Sequence, residues 1–540
     1  MERFDYVIVG AGSAGCVLAA RLSEDRRTSV LLIEAGPPDR HVFIHVPAAF
    51  PRLFDSHLDW GYRTTPQRAL GDRQIFWPRG RVVGGSSSLN AMLWVPGAPA
   101  DYDAWGAAAG PQWTWASLAP YLRRVAGPLP GAAAPGMLPV SAQVEPNALT
   151  RLFLQAARSV GLPALADGAV DEGVAELRVN QVNGRRASAA DAYLRPALRR
   201  ANLTLRTGAH VHRILFEGRR AGGVAYHRGR HLAEATAARE VILCAGAIGS
   251  PALLQRSGVG DGTHLGRLGV EVVADRPAVG SGLTDHLVSG IARATRRPIS
   301  LLRAQSPSAL LRYALARRGP LTSPVAEGYG YLRSRRDLEL PDLEIVFLPV
   351  AFLNEGLNLP RVHGVSLAAV LLKPASRGEV RIASGDPDAA PLIDPSYLSD
   401  ARDAAVLAEG IRRCQRILSA PPLAGELAEA LQPAGLDGEE AVAAALAGAS
   451  QTIYHPTGTC ALGTDARAVL DPDCRVRGTQ GLRVVDASAI PEIPRGHTHA
   501  ATVVLAERAA DLILGRSGPS AGSRDADAGA ETGPGRASAG

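Results

Sequence analysis

Apolar and polar positions near the start of the chain predict a strand, a turn, a helix and a second strand. Residues 6–9 form a β-branched apolar run, and a glycine-rich turn leads from it into a helix-forming stretch over residues 14–22. Residues 29–33 are a second apolar run that ends in Glu34. Together they have the length of a βαβ unit, about 30 residues, and such a unit predicts a parallel sheet.

The same patterns return further along the chain. Strand-like runs over residues 203–224 and 240–244 predict a return to the first sheet. Between residues 290 and 450, apolar runs such as 343–347 are mixed with alanine-rich helical stretches such as 404–418. We therefore expect this part of the chain to form a separate substrate-binding domain.

Two segments have compositions that do not favour packing. Residues 127–138 are rich in glycine and proline and predict an exposed loop. Residues 516–540 consist mostly of small, charged and turn-forming residues. Such a composition cannot bury enough apolar surface to offset the entropy of ordering, so we expect this tail to be disordered.

The turn after the first strand has the glycine spacing of a dinucleotide site. Gly10 permits a tight turn, Gly12 lets the backbone approach a pyrophosphate, and Gly15 allows the helix to pack closely on the strand. The helix that begins there offers free N–H groups to phosphates. Glu34, at the tip of the second strand, is placed to accept hydrogen bonds from a ribose. This unit alone leaves FAD and NAD equally open.

Composition narrows the classes of function. The net charge of +6 comes almost entirely from arginines scattered among acidic residues, with Lys373 as the only lysine, so we expect no nucleic-acid partner. Five widely spaced cysteines without a CxxC pair indicate neither disulfides nor zinc, and we expect no metal and a cytoplasmic location. A signal-like leader and an apolar span of about 20 residues are both absent from the sequence. Secretion and membrane spanning are therefore not expected, whereas peripheral membrane contact stays open.

Two later segments strongly resemble signatures of the glucose-methanol-choline (GMC) oxidoreductases. They are residues 79–90, RGRVVGGSSSLN, and residues 246–260, GAIGSPALLQRSGVG. Further matches are Asp285-His286, the Ser-Arg-Gly at 376–378, and YHPTGTC at 454–460. The resemblance extends from about residue 4 to residue 514. It implies an α/β protein with a Rossmann-like FAD-binding domain and a discontinuous α+β substrate-binding domain.

The resemblance also implies how the chain is divided. The FAD-binding domain is expected to comprise residues 1–40, 75–125, 190–288 and 455–515. The substrate-binding domain and its cap segments are expected to comprise residues 41–74, 126–189 and 289–454. The tail at 516–540 lies outside both.

A set of cofactor-binding residues follows from the same resemblance. Small residues at 84–88 let the backbone press against a flat ring system, and Asn90 is placed to hydrogen-bond the flavin edge. Some relatives attach the flavin covalently to a histidine where this chain has Leu89, so we expect FAD to be bound without a covalent link. The residues expected to contact FAD are Gly10, Gly12, Ser13, Ala14, Gly15, Glu34, Val83, Ser86, Asn90, Ala91, Met92, Leu93, Val211, Asp486 and Ala487.

Flavin-dependent alcohol oxidation needs a base for the hydroxyl proton and a partner for the developing alkoxide. A neutral imidazole suits the base, because its usual pKa of about 6.5 is close to the working pH. By resemblance, His455 is the expected base and His499 the expected partner of the substrate oxygen. His497 precedes His499 by two residues on a chain taken as extended, so its side chain is expected to face away and to serve a structural role.

The expected activity is oxidation of an alcohol to an aldehyde or ketone by hydride transfer to N5 of FAD, with a simple primary, aromatic or polymeric alcohol as substrate. The electron acceptor is oxygen or a quinone-type carrier, and the sequence leaves this choice open. Choline oxidation is the runner-up, weakened because choline-oxidising relatives usually have asparagine where this chain has His499. A non-redox lyase of the same family and a non-enzymatic binding protein are further alternatives. A serine hydrolase is set aside because no GxSxG elbow accompanies the serines at 86–88. Glu327 is assigned either a place in the substrate pocket or an ordinary structural role.

Overall fold

The computed structural model describes residues 2–127, 136–353, 356–357, 361–433 and 435–519. The strands are β1 (Glu2–Val9), β2 (Val30–Ile33), β3 (Tyr62–Arg63), β4 (Phe76–Trp77), β5 (Gly173–Glu176), β6 (Gln181–Val182), β7 (Arg185–Arg186), β8 (Leu203–Arg206), β9 (Ala209–Glu217), β10 (Arg220–Arg228), β11 (His231–Leu243), β12 (Val259–Gly260), β13 (Ala274–Asp275), β14 (Ser281–Leu283), β15 (Leu287–Thr295), β16 (Gly328–Leu332), β17 (Leu343–Leu348), β18 (Gly364–Leu371), β19 (Gly378–Arg381), β20 (Leu392–Asp394), β21 (Leu427–Gln432), β22 (Gln451–Thr452) and β23 (Leu482–Val484). The α-helices are α1 (Ser13–Leu22), α2 (Val42–His45), α3 (Pro99–Ala109), α4 (Trp115–Ala126), α5 (Ala148–Ser159), α6 (Arg195–Ala197), α7 (Gly246–Arg256), α8 (Gly262–Arg267), α9 (Pro307–Ala316), α10 (Ala401–Leu418), α11 (Glu439–Ala449) and α12 (Thr498–Leu514).

The first sheet has the strand order β8-β2-β1-β11-β10-β9, and β23 pairs with β11. Strands β8, β2, β1, β11 and β23 run parallel, as the opening βαβ unit predicts. The prediction of a parallel sheet is wrong for β9 and β10, which form an antiparallel meander with β11. Two-residue turns at 218–219 and 229–230 join these three strands, and turns this short connect antiparallel neighbours.

The second sheet is antiparallel and has the order β21-β15-β18-β17-β16-β5, with β22 paired to β15. Helices α5 and α10 cover one of its faces, where the ring of Phe153 stacks on that of Phe347 with 4.6 Å between centroids. The apolar run at 343–347 and the alanine-rich stretch at 404–418 are confirmed as β17 and α10.

Helix α12 is almost completely buried and packs beside α1 and α4. Its Glu507, fully buried, accepts hydrogen bonds from Arg21 at 2.8 Å and from Arg124 at 3.1 Å. A buried carboxylate that is held by two guanidinium groups keeps its charge compensated. These contacts anchor the helix whose first turn enters the cavity described below.

The structure describes the first residues of the tail predicted at 516–540. Arg516 donates a hydrogen bond from its backbone to Asp511 at 2.9 Å and forms an ion pair with Glu24 at 2.7 Å. Residues 520–540 lie outside the described residues, as do residues 128–135 of the loop predicted at 127–138. Within the described ranges, none of the helices combines the length and apolarity needed to cross a bilayer.

Candidate active site

A cavity of about 870 Å³ lies between the two sheets. The carboxyl ends of β1 and β2 form one wall, and residues of β15, β17 and β18 form another. Ligands of α/β proteins bind beyond the carboxyl ends of parallel strands, and the volume lies in the usual range for ligand sites, about 300–1,000 Å³. The glycine turn and four histidines, His210, His455, His497 and His499, line this same cavity.

Gly10 and Gly15 occupy positions where a side chain would clash with the backbone. Gly10 has a φ of +100°, and a Cβ there would lie 2.5 Å from the carbonyl oxygen of Cys244. A Cβ on Gly15 would lie 1.9 Å from the carbonyl oxygen of Gly10. These contacts agree with the tight turn and the close helix packing expected from the glycine spacing.

Gly12 instead faces open space in the cavity. A Cβ on Gly12 would find its nearest described neighbours 3.9 Å away. Helix α1 begins directly after it at Ser13, and no side chain of the described residues caps the helix. The first N–H groups of α1 and its positive dipole end are therefore available to an anion. The pyrophosphate of a dinucleotide fits this cradle.

Glu34 is buried just after β2 and is bound to the glycine turn. Its Oε2 accepts the N–H of Ala11 and its Oε1 that of Gly36, both at 2.9 Å. Burial raises the pKa of the Glu34 carboxyl to about 7, although both backbone hydrogen bonds act to lower it. Each oxygen keeps a further lone pair. The carboxyl group can therefore accept the ribose hydroxyls that its sequence position predicts.

The serine-rich segment forms a second turn that touches the first. A Cβ on Gly85 would lie 2.7 Å from the Cα of Gly12, so the two glycine turns are in contact. The hydroxyls of Ser87 and Ser88 donate to backbone carbonyls three and five residues earlier, at 2.6 and 2.8 Å, and brace the turn. The residues of the predicted cofactor set in this segment that line the cavity are Ser86, Asn90, Ala91, Met92 and Leu93.

Sequence reasoning missed Arg186, which lies behind this segment. Its guanidinium is buried and donates to the carbonyl of Ile44 at 2.7 Å and to Oδ1 of Asn90 at 2.6 Å. No carboxylate of the described residues pairs with it, and burial lowers its pKa to about 9. A buried cation without an acidic partner is costly. Its charge, one layer behind the wall formed by Asn90, suits an anionic cofactor.

The remaining residues of the predicted cofactor set either line the cavity or lie behind its wall. Asp486 accepts hydrogen bonds from Gly246 N–H at 2.9 Å and from the Ser250 hydroxyl at 2.5 Å, and burial raises its pKa. The structure places Val83 and Gly15 behind the cavity wall, in the packing between turn and core. The set members that line the cavity are Gly10, Gly12, Ser13, Ala14, Glu34, Val211, Asp486 and Ala487 together with those of the serine-rich segment.

His455 lies in the cavity wall, and the buried carboxylate of Asp285 holds its backbone. Oδ1 of Asp285 accepts the N–H of His455 at 2.7 Å. Oδ2 accepts the hydroxyl of Thr452 at 2.6 Å and that of Tyr397. Burial raises the pKa of Asp285, while these hydrogen bonds act to lower it. The carboxyl group thus fixes the segment that leads into His455.

The ring of His455 is oriented by His286. The two Nδ1 atoms lie 2.9 Å apart, and Nε2 of His286 lies 3.1 Å from the carbonyl oxygen of Leu372. A carbonyl oxygen only accepts, so Nε2 of His286 carries the proton. Burial lowers the pKa of His286 to about 3, which leaves its Nδ1 unprotonated. His455 therefore donates from Nδ1 and has its lone pair on Nε2.

The His455 imidazole is also kept neutral. Burial, and then the nearness of His497 and His286, hold its pKa well below the usual value of 6.5. The ring is consequently unprotonated at neutral pH, and its Nε2 can accept a proton.

The expectation that His497 faces away from the site is wrong. Its ring centroid lies 4.8 Å from that of His455, and its Nε2 lies 3.2 Å from the fully buried carboxylate of Glu344. The backbone of His497 is extended, but this residue is the N-cap of α12, so the chain becomes helical at Thr498 and the alternation of side chains does not continue to His499. Its Nε2 is engaged by Glu344, which leaves Nδ1 as the ring nitrogen for a ligand.

His499 lies in the first turn of α12, on the side of the glycine turn. Its Nδ1 lies 3.1 Å from the hydroxyl of Ser13. Burial, followed by the charge of Arg186, lowers its pKa to about 4. The structure thus pairs His455 with His497 and places His499 beside the N-terminus of α1.

Glu327 is fully buried and bound on both oxygens. Oε2 accepts the N–H of Asn147 at 2.6 Å and the hydroxyl of Thr150 at 2.7 Å, and Oε1 accepts the hydroxyl of Ser323 at 2.6 Å. Of the two roles left open by the sequence, these contacts support the structural one.

The part of the cavity near His455 has an apolar wall. The ring of Phe54 lies 5.5 Å from that of Tyr454, the residue before His455. Around it, residues of one apolar cluster and its margin face the cavity. They are Phe50, Phe54, Ala91, Val325, Leu348 and Phe352.

Comparison with known proteins agrees with this arrangement. Family models described as GMC oxidoreductase match residues 4–288 and 374–506. An uncharacterized GMC-type oxidoreductase of Mycobacterium tuberculosis is 47% identical over 525 residues, which cover 94% of this chain and 99% of that protein. The alcohol dehydrogenase (acceptor) of Pseudomonas putida is 39% identical over 527 residues, 95% of this chain and 96% of that protein.

Solved structures are also similar to this chain over nearly its whole length. Pyridoxine 4-oxidase from Mesorbium loti is similar with a TM-score of 0.87 at 34% identity, covering 95% of this chain and 100% of that one. The fold predicted from the sequence, a Rossmann-like domain with an α+β substrate-binding domain, is confirmed; its residue boundaries stay a prediction. The chain belongs to the GMC oxidoreductase family.

Proposed function

We propose that this oxidoreductase converts an alcohol to an aldehyde or ketone, with FAD bound in the cavity and His455 as the general base. The observation that carries the proposal is the hydrogen bond between the Nδ1 atoms of His455 and His286, 2.9 Å long. It leaves the Nε2 lone pair of His455 available in the same cavity that the glycine turn lines.

The residues of the cavity fit FAD. The free N–H groups at the start of α1 and the space above Gly12 would hold the pyrophosphate, and Glu34 would hold the ribose. Leu89 is a buried hydrocarbon side chain and can form no bond to a flavin, which supports non-covalent binding. When bound, FAD supplies the acceptor for the hydride that leaves the alcohol carbon.

Two histidines would act on the alcohol oxygen. Nε2 of His455 takes the hydroxyl proton, and a neutral, desolvated imidazole is ready to do so at neutral pH. We assign the second role to His497 rather than to His499. Glu344 engages Nε2 of His497 at 3.2 Å, which leaves Nδ1 of that ring to donate to the oxygen as negative charge develops there.

The apolar wall supports an alcohol with an apolar aliphatic or aromatic body. Choline carries a quaternary ammonium group, and burying that charge beside an apolar wall is costly unless a carboxylate compensates it. Glu327 and Glu344 are instead engaged by Thr150, Ser323 and His497. The electron acceptor, oxygen or a quinone-type carrier, is assayed separately.

Anaerobic titration of the purified holoprotein tests the proposed reaction. We expect hexanol or benzyl alcohol to bleach the flavin band near 450 nm, roughly the position of that band in flavins generally, and choline to do so poorly. Readmission of oxygen, or addition of a quinone, then identifies which acceptor restores the band. An unchanged spectrum with every alcohol, or cleavage of a cyanohydrin without bleaching, would contradict the proposal and favour the lyase.

A pair of asparagine variants separates the two assignments for the oxygen partner. His497→Asn removes a donor to the developing alkoxide, and kcat should fall about 10- to 100-fold, as expected for a hydrogen bond to a charged group. The charge of His497 lowers the pKa of His455, so its removal raises that pKa. The acidic limb of the kcat/KM profile should therefore move to higher pH. His499→Asn should leave this limb in place.

The outcome against this assignment is the reverse pattern. If His499→Asn moved the acidic limb and His497→Asn did not, the substrate oxygen would belong near Ser13 and His499.

A further inference from the structure

Helix α9 presents an unusual apolar surface to solvent. Leu310, Leu311 and Leu315 are 54%, 60% and 80% exposed, and Leu315 is the most exposed large apolar side chain of the described residues. Leu311 and Leu315 are one helical turn apart and Leu310 adjoins them, so the three share a side of the helix. We call this side the leucine face.

The opposite side of α9 explains why the helix is fixed in this orientation. Ala309 and Tyr313 are buried, and the hydroxyl of Tyr313 donates to the carbonyl of Gly184 at 3.1 Å. The hydroxyl of Ser306 caps the helix through the N–H of Ala309. Because the helix is anchored through these residues, the leucine face stays directed outward.

The charge around the leucine face is strongly positive. On α9 and the segments packed against it, the exposed arginines are Arg185, Arg303, Arg312, Arg317 and Arg318. Glu145 pairs with Arg312 and Arg318 at 3.0 and 3.7 Å. No carboxylate in the described part of the chain pairs with Arg185 or Arg303, whereas the guanidinium of Arg317 lies over the Tyr313 ring, 5.0 Å from its centroid. A cationic rim around exposed leucines is the pattern of a helix that lies on an anionic lipid surface.

The buried side of α9, opposite the leucine face, adjoins the apolar wall of the cavity. Tyr313 of α9 belongs to the same apolar cluster as Phe50 and Val325, and both of these line the cavity. Compounds dissolved in a bilayer would thus meet apolar protein surface between the lipid and the site.

We propose that α9 docks the protein on an anionic membrane surface, with Leu310, Leu311 and Leu315 inserted among the headgroups and the arginines facing lipid phosphates. The helix is about 15 Å long at 1.5 Å per residue, which is too short to cross a bilayer. It therefore lies in the plane of the interface. This proposal goes beyond the reaction proposed above and does not depend on it, because it concerns only where the protein binds.

Co-sedimentation of the holoprotein with lipid vesicles tests the proposal. We expect binding to vesicles of phosphatidylcholine with phosphatidylglycerol, weaker binding to phosphatidylcholine alone, and release at high salt. The double variant Leu311→Asp/Leu315→Asp should lower the partition coefficient about tenfold or more. Arg185→Gln/Arg303→Gln should lower it on the anionic vesicles alone. The control is Leu232→Asp, at a position 63% exposed on β11, which should leave binding unchanged.

Two results would overturn the proposal. One is equal sedimentation of wild type and the leucine variant with the anionic vesicles, including no binding by either. The other is a wild-type dimer in light scattering that the leucine variant converts to monomer, because a second copy would then cover the leucine face. Thermal unfolding of each variant verifies that the fold is retained, which is expected because the substituted side chains are exposed.

Discussion

Replacing His455 with alanine is expected to lower kcat about 100- to 10,000-fold, the usual contribution of a general base. The substitution removes the Nε2 lone pair that takes the hydroxyl proton. FAD should remain bound, because the residues that fit the cofactor lie on the glycine turn and the serine-rich turn. Steady-state turnover, normalised to the flavin content of each preparation, measures the effect.

His231→Ala is the matched control, since His231 is an exposed imidazole at the start of β11. It should leave turnover unchanged. Removing the His455 ring also takes a hydrogen bond from His286, so thermal unfolding of the variant is measured beside its kinetics. Full turnover in a folded, flavin-containing His455→Ala protein would leave this histidine without its proposed role.

Replacing Gly12 with alanine is expected to weaken FAD binding while the apoprotein folds normally. The backbone of Gly12 is extended, with φ −77° and ψ −163°, which alanine adopts without strain, and the added Cβ meets no described atom within 3.9 Å. The methyl group would instead occupy space that we assign to the pyrophosphate. Overpacking of this kind costs about 1–3 kcal/mol, which corresponds to about 5- to 150-fold weaker binding.

Gly266→Ala on α8 serves as the control, because a Cβ there also meets open space. Titration of each apoprotein with FAD, monitored by flavin fluorescence, gives the dissociation constant of FAD for the wild type and for each variant. Equal affinities in the Gly12→Ala and wild-type proteins would contradict the placement of the pyrophosphate at this turn.

The parts of the fold that were predictable are those in which local pattern and tertiary pairing agree. The run from β1 through α1 to β2 has strand and helix periodicities, a glycine turn and a terminal acid, all of which indicate the same unit. The direction of β9 and β10 was not predictable from apolar runs alone, because both parallel and antiparallel strands can be apolar. The short turns at 218–219 and 229–230 held that information.

The misassignment at His497 has a local cause. Residues 497–499 were treated as extended, where alternate side chains face opposite ways. Instead, α12 begins at Thr498, and the N-cap side chain leaves the helix in a different direction from the first turn. The apolar helical pattern that starts at Ala500 was the signal that could have placed this boundary.

Two further residues required the tertiary structure. His286 and His455 are 169 residues apart in the chain, and Arg186 and Asn90 are 96 apart. Contacts between such distant positions follow from how the two sheets pack, which no local pattern encodes. The Asp285-His286 match to the family was visible in the sequence, but its role in orienting His455 was not.

The most direct test is a crystal structure of the protein with FAD bound. The account predicts electron density for the isoalloxazine ring beside His455 and His497, the pyrophosphate at the first turn of α1, and no covalent bond to Leu89. An isoalloxazine ring bound away from His455, or a cofactor outside the cavity between the two sheets, would contradict it.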